Sequence, residues 1–164
     1  FQGISARPLT EDNIFEWTAQ IAGLQLTSWQ GGIFRLYIKF NEHYNSQPPE
    51  ICFHTIPFHP NVDAVTGKPC LNLLMNPDEW NENISITDIL KAIQVFTEIS
   101  VLCQHAVLFS SQSMLVEPSL TEAVNQEALD LLLYSPHAYN QMIQNCVSAS
   151  LRVNGTTDLR SLYD

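Results

Sequence analysis

Residues 53–80 read FHTIPFHPNVDAVTGKPCLNLLMNPDEW, and they divide the chain into two unlike parts. The prolines at 57, 60, 69 and 77, the glycine at 67 and the repeated Asn and Asp deny most of this stretch a regular backbone. Only Leu71 to Leu74 offers any regular structure between Pro57 and Ile84. Irregular segments of that length inside a compact domain carry function more often than architecture. The stretch also sets His59-Pro60-Asn61 ahead of Cys70 across a Gly/Pro loop, bringing a carboxamide and a thiol into one segment. Such a loop is a candidate active site.

Upstream, the pattern is that of strands. Ile14 to Ala22 and Ile33 to Phe40 are rich in aromatic and β-branched residues with rough period-two alternation, punctuated by Gly23 and Gly31-Gly32. Pro48-Pro49 forces an extended start for a third strand, Glu50 to Ile56, in which Ile51, Phe53 and Thr55 share one face and Cys52, His54 and Ile56 the other. Short connections in sequence order read as an antiparallel meander.

Downstream, the period changes to that of helices. Ser85 or Thr87 is the expected cap for a stripe of Ile86, Ile89, Leu90, Ile93 and Phe96. Ile99 to Phe109 is apolar on every side but too short for a membrane span, which needs roughly 20 residues, so it reads as a buried helix continuation or an irregular insert. Asn125 to Tyr134 and Ser135-Pro136 to Val147 read as two further helices, the second with Ser135 as cap, Pro136 at the first helical position and one stripe of Ala138, Tyr139, Met142, Ile143, Cys146 and Val147. After Leu151 no packing face is evident. Strands first and helices second make an α+β chain, with a core domain over 1–150 and a tail at 151–164.

At 164 residues and 45% apolar content the chain suits one core. Seventeen acidic against seven scattered basic residues leave a net charge of −10, which repels phosphate backbones and anionic lipid. Neither nucleic acid nor membrane is an expected partner. Cys52, Cys70, Cys103 and Cys146 lie far apart without a Cys-x-x-Cys or a His at ligand spacing, so no metal site is written here. Unpaired cysteines and no visible signal peptide point to a reducing compartment, cytoplasmic or nuclear.

Cys70 is either a small buried hydrophobe or, by its loop position, a reactive thiol. A thiol without a strong local base suits the holding of an acyl group as a thioester until an amine takes it. Asn61 is then a carboxamide N–H donor to the oxyanion formed on amine attack, or else a turn residue after Pro60. His59 is read as tying the loop together in preference to acting as a general base.

These residues carry a resemblance. Ser5-Ala6-x-Pro8, the strand with Trp17, Tyr44-x-x-x-Pro48-Pro49, Phe53-x-Thr55, His59-Pro60-Asn61, Cys70-Leu71, Trp80, Ile86 with Leu90, and Tyr139-Asn140, in this order, make the chain resemble the ubiquitin-conjugating enzyme family, and its type U branch most of all. The match runs from about Gly3 to Phe96 and resumes from about Val116 to Gln144. It implies a four-stranded antiparallel meander followed by C-terminal helices. It also implies that Cys70 accepts ubiquitin from a ubiquitin-activating enzyme and passes it to a lysine or to a ubiquitin ligase, with Asn61 stabilising the aminolysis intermediate. By the same resemblance Glu122 falls near an acidic residue that gates the cysteine, His59 and Pro60 structure the site, and Trp80 packs beside it. Ligases would grip Phe53, Pro57 and Phe58 in one loop and Asn81, Glu82 and Asn83 in another; Ser5 marks a sheet face that binds ubiquitin or a partner. No cofactor is implied, because ATP is used by the upstream activating enzyme.

The chain departs from the family pattern in three places. The family's amino-terminal helix would precede Gly3, whereas the chain begins at Phe1, so the expected fold lacks it. Thr97 to Ser113 is a hydrophobic addition where the family has a short passage. Asn61 to Cys70 is one residue longer than usual, and Asn81-Glu82-Asn83 replaces the usual Ser-Pro-Ala. The alternative reading is therefore a catalytically inactive variant or splice isoform of the same fold, acting as a ubiquitin- or partner-binding module. A cysteine hydrolase fits less well, since it needs a His positioned by Asp or Asn.

Overall fold

The structure is a computed structural model that describes residues 3–95 and 123–154 in full and the backbone of 96–102. Four strands, β1 (Ile4–Thr10), β2 (Asn13–Ala22), β3 (Ile33–Lys39) and β4 (Glu50–Phe53), form one antiparallel sheet in the order β1-β2-β3-β4. The helices follow: a single turn α1 (Asn72–Met75), then α2 (Ile86–Leu102), α3 (Gln126–Tyr134) and α4 (Pro136–Asn154). This is the α+β meander with C-terminal helices that the sequence implies.

The sheet's register puts Ile21 opposite Phe34, Ala19 opposite Leu36, and Ile38 opposite Ile51, so one face is apolar throughout. Against that face lie Ile89, Leu90 and Ile93 of α2, Leu132 of α3, and Tyr139, Ile143 and Val147 of α4, all buried. Each such aliphatic side chain contributes about 1.5–3 kcal/mol relative to exposure, so the helical stripes hold the sheet's inner face.

β1 is legible only through the family resemblance, because Ser5, Ala6, Arg7 and Pro8 are poor strand formers and three of these four are exposed. An edge position explains the proline, whose missing N–H needs no ladder partner there. β4 stops at Phe53 rather than Ile56, since the next amides leave the ladder: His54 and Thr55 both donate to the Arg35 carbonyl, at 2.8 and 3.3 Å. Ser85, not Thr87, caps α2, in a reciprocal capping box with Asp88: the Asp88 amide donates to Ser85 Oγ at 3.1 Å and the Ser85 amide to Asp88 Oδ2 at 3.2 Å. Bonds from the Ser85 hydroxyl and amide hold the Asp88 carboxyl below its ordinary range. The backbone of 97–102 continues α2, and the rest of the 97–113 insert lies outside the described residues.

α4 runs seven residues past the expected Val147, to Asn154. Its last two turns pack by polar pairing: Ser150 Oγ accepts the Ile33 amide at 3.0 Å, and Asn154 Nδ2 donates to the Ile33 carbonyl at 2.8 Å. These side chains satisfy the start of β3, and an apolar stripe does not reveal them.

Candidate active site

Residues 61–70 fold back as a short hairpin against the end of β4. The Cys70 amide donates to the Asn61 carbonyl at 2.8 Å, Val62 bridges Pro69, and the Asp63 amide donates to the Lys68 carbonyl at 3.0 Å. The turn is built on Asp63, whose carboxylate accepts the amides of Val65 and Thr66 and the Thr66 hydroxyl at 3.0, 2.6 and 2.8 Å. The Thr66 donations, followed by that from Val65, lower the Asp63 carboxyl. Gly67 takes φ +69°, and a Cβ there would stand 2.4 Å from the Phe53 carbonyl oxygen. The Phe53 amide in turn donates to the Gly67 carbonyl at 2.8 Å, which clips the hairpin to β4.

His59, just ahead of this hairpin, and Asn61, at its base, are 0% and 2% exposed. The Asn61 amide donates to His59 Nδ1 at 3.1 Å, which leaves the neutral ring's proton on Nε2. Burial pushes the His59 pKa down to about 3, so the ring is uncharged at neutral pH and its Nδ1 lone pair is already committed. It is built as a tie, not as a proton acceptor. The buried Pro60 carbonyl accepts two amides, from Val124 at 3.0 Å and Asn125 at 2.9 Å. Asn125 is buried and caps α3 by accepting the Ala128 amide at 3.1 Å. The His59-Pro60-Asn61 turn is thus gripped from below by the start of α3, a contact that no local motif signals.

Cys70 is half-buried at the base of the hairpin, opposite Asn61, and is followed by Leu71, whose carbonyl starts the α1 turn. Cys52 and Cys146 are also free thiols, and burial raises the pKa of both, opposing thiolate formation. Neither lies in the 61–70 hairpin. Glu122 lies outside the described residues.

Trp80 is half-buried and fixed from its indole: Nε1 donates to the Asn45 carbonyl at 2.6 Å, and the ring leans on Tyr44 with centroids 6.4 Å apart. Tyr44 meets Phe40 edge-on at 4.7 Å, and Phe40 meets Trp17 at 5.8 Å, so an aromatic run ties Trp80 to the sheet. The exposed Asn81, Glu82 and Asn83 follow directly, and the surface joined to them through Trp80 is the turn at Asn45. The loop at 53–58 is different. Phe53 is 3% exposed within the core and Pro57 is buried, so neither offers the partner surface expected of them. Strand alternation turned Phe53 inward with Ile51. Phe58 is half-buried, its ring 5.9 Å from that of buried Tyr139. Ser5 is exposed on the outer face of β1.

Among the described residues no group of three His, Cys, Asp or Glu side chains is arranged to hold a metal ion. No described helix is long and apolar enough to cross a membrane.

Comparison with known proteins agrees with this geometry. The sequence profile of the ubiquitin-conjugating enzyme family matches residues 1–101. Human ubiquitin-conjugating enzyme E2 U is 40% identical over 144 residues, which are 88% of this chain and 39% of that protein. Ubiquitin-conjugating enzyme E2 3 of Arabidopsis thaliana is 34% identical over 148 residues, 90% of this chain and 84% of that protein. A solved structure described as a novel ubiquitin-conjugating enzyme superposes with a TM-score of 0.68 at 40% identity, covering 88% of this chain and 82% of the other. The chain therefore spans about 39% of the length of its type U relatives, yet most of that of the plant protein. By profile, by sequence and by fold, this chain belongs to the ubiquitin-conjugating enzyme family.

Proposed function

We propose that Cys70 carries ubiquitin as a thioester. Its thiolate attacks the carbonyl of the thioester held by a ubiquitin-activating enzyme, and collapse of the tetrahedral intermediate expels that enzyme's thiolate. A lysine amine then attacks the new thioester, or a ligase cysteine does; the Cys70 thiolate leaves, and the amine's proton passes to solvent. The observation that supports this reading is the main-chain hydrogen bond from the Cys70 amide to the Asn61 carbonyl, 2.8 Å, which makes the thiol residue and the carboxamide residue antiparallel partners. The Asn61 carboxamide stabilises the oxyanion of the amine's attack, a contribution of about 10²- to 10³-fold in rate.

His59 supports transfer over hydrolysis. A ring that is buried, neutral and bonded to the Asn61 amide is not built as a general base for water, whereas thioester exchange needs none. The same intact hairpin weighs against a purely non-catalytic variant. The reaction draws no cofactor from this chain, ATP being consumed by the activating enzyme, and its free thiol suits the reducing cytoplasm or nucleus. A ligase engages Asn81, Glu82 and Asn83 together with the Asn45 turn that Trp80 ties to them. Glu122 is assigned, through the resemblance alone, to orienting the incoming lysine.

Mixing the chain with activating enzyme, ubiquitin and ATP tests the proposal on a non-reducing gel. The expected result is an adduct that reductant removes and Cys70→Ala abolishes. An equal adduct from Cys70→Ala, or none from folded parent chain, would overturn it.

A further inference from the structure

Lys68 lies two residues before Cys70 on the return strand of the hairpin, and the proposed transfer to an external amine makes no use of it. The backbone around it is extended and pinned on both sides: the Lys68 carbonyl accepts the Asp63 amide at 3.0 Å, Pro69 bridges Val62, and the Cys70 amide donates to the Asn61 carbonyl at 2.8 Å. Val62 and Pro69 are buried, whereas Lys68 is exposed and Cys70 half-buried. Alternation therefore turns Pro69 inward and sets Lys68 and Cys70 on the same face, about 6.6 Å apart along the strand. The flexible four-carbon stem of a lysine spans such a distance.

The chain has three lysines, and the other two are placed against carboxylates. Lys91 Nζ is 4.0 Å from Asp88 Oδ1, one turn away on α2. Lys39 ends β3 with Glu16 and Glu50 as its cross-strand neighbours. Lys68 has Asp63 opposite it, but Asp63 Oδ1 is turned into the loop, where it accepts the Val65 and Thr66 amides and the Thr66 hydroxyl. Among the described residues no carboxylate oxygen lies within 4.0 Å of the Lys68 amine. Its charge is felt at the half-buried Cys52 thiol, where it opposes the larger effect of burial. An exposed amine on a flexible stem swings toward a neighbour without breaking an ion pair.

We propose that Lys68 is an acceptor built into this chain, taking ubiquitin from Cys70 within the same molecule. The proposal rests on the thioester reading of Cys70. With the thioester formed, the deprotonated Lys68 amine attacks its carbonyl carbon; the C–N bond forms, the C–S bond breaks, the Cys70 thiolate leaves and the amine's proton passes to solvent. No oxidant or cofactor is needed, and the product is an isopeptide bond that thiols do not reverse. Carrying donor and acceptor on one strand replaces a bimolecular encounter by an intramolecular one, so the step does not depend on the concentration of chain. In the absence of an external lysine, Lys68 then sets the lifetime of the charged state and diverts part of the ubiquitin onto the enzyme itself.

To test this, the whole chain is charged with activating enzyme, ubiquitin and ATP, ATP is then removed, and the products are followed on gels with and without reductant. The expected result is conversion of the reductant-sensitive adduct into a reductant-resistant one that peptide mapping places on Lys68, with a rate constant unchanged over an about tenfold range of chain concentration. Lys68→Arg should still form the reductant-sensitive adduct, should yield the resistant one at least about tenfold more slowly, and should hold its thioester longer. Charged Lys68→Arg mixed with uncharged Cys70→Ala, which keeps Lys68, should leave the latter unmodified. A reductant-sensitive adduct that decays equally in parent and Lys68→Arg, a resistant adduct mapped to Lys39 or Lys91, or a rate that rises with chain concentration would overturn this inference alone. Failure of both parent and Lys68→Arg to form the sensitive adduct would overturn the thioester reading, and this inference with it.

Discussion

Asn61 and Cys70 are antiparallel partners, joined by a 2.8 Å hydrogen bond from the Cys70 amide to the Asn61 carbonyl. Nine positions apart in sequence, they are neighbours in space because the intervening loop closes on the Asp63 carboxylate and on Gly67 at φ +69°. The thiol residue is half-buried and the carboxamide residue is buried beneath it. The Asn61 side of the pair is held by His59 and, through Pro60, by the start of α3.

Asn61→Ala separates the two halves of the proposed reaction. Charging of Cys70 should proceed at close to the parent rate, because exchange between thioesters needs no carboxamide. Discharge to free lysine should slow by about 10²- to 10³-fold. Single-turnover gels of each step check this, and equal slowing of both steps would point to a misfolded loop instead.

His59 makes stability depend on pH in a definite direction. Burial lowers its folded-state pKa from 6.5 to about 3, so between these values the unfolded chain binds the proton and the folded chain does not. The stabilisation is complete above the unfolded value and is lost as pH falls below it. The slope is about 1.4 kcal/mol per pH unit, or about 2 kcal/mol between pH 6.5 and 5. Urea unfolding at pH 7, 6 and 5 should show this loss for the parent chain and a flatter dependence for His59→Asn.

Gly67→Ala should damage both stability and charging. The substitution forces a side chain into left-handed backbone and sets its Cβ 2.4 Å from the Phe53 carbonyl oxygen, so the hairpin must shift away from β4. A loss of about 1–3 kcal/mol is expected from the strain, read as a lowered urea midpoint. Reduced alkylation selectivity for Cys70 over Cys52 would report the displaced loop.

Much of this was legible in the residues. The alternation of β2 and β3 and the helical stripes state the packing directly, because both register which face is buried. The 61–70 loop announced itself by residue types that cannot form helix or ladder. β1 did not, since an edge strand rich in Ser, Ala and Pro shows no periodicity. Ser150 and Asn154 were hidden for a related reason: they bind backbone at Ile33, and polar pairing leaves no hydrophobic trace. Phe53 shows the limit of matching by spacing, because the pleat, not the motif, decides which way a strand residue faces.

The grip of α3 on Pro60 makes Asn125 a positioning residue for a site it does not touch chemically. The amides of Val124 and Asn125 reach the Pro60 carbonyl only while the chain turns sharply into α3, and the Asn125 side chain holds that turn by capping the Ala128 amide. Asn125→Ala removes the cap at a cost of about 1 kcal/mol and frees the turn that holds Asn61 in place. The discharge step, which depends on the carboxamide's position, should therefore slow by more than the charging step, while Asn125→Asp, which can still accept the amide, should restore both. If alanine lowers the urea midpoint yet leaves the ratio of the two rates unchanged, Asn125 only stabilises the helix and the Pro60 contact does not reach the site.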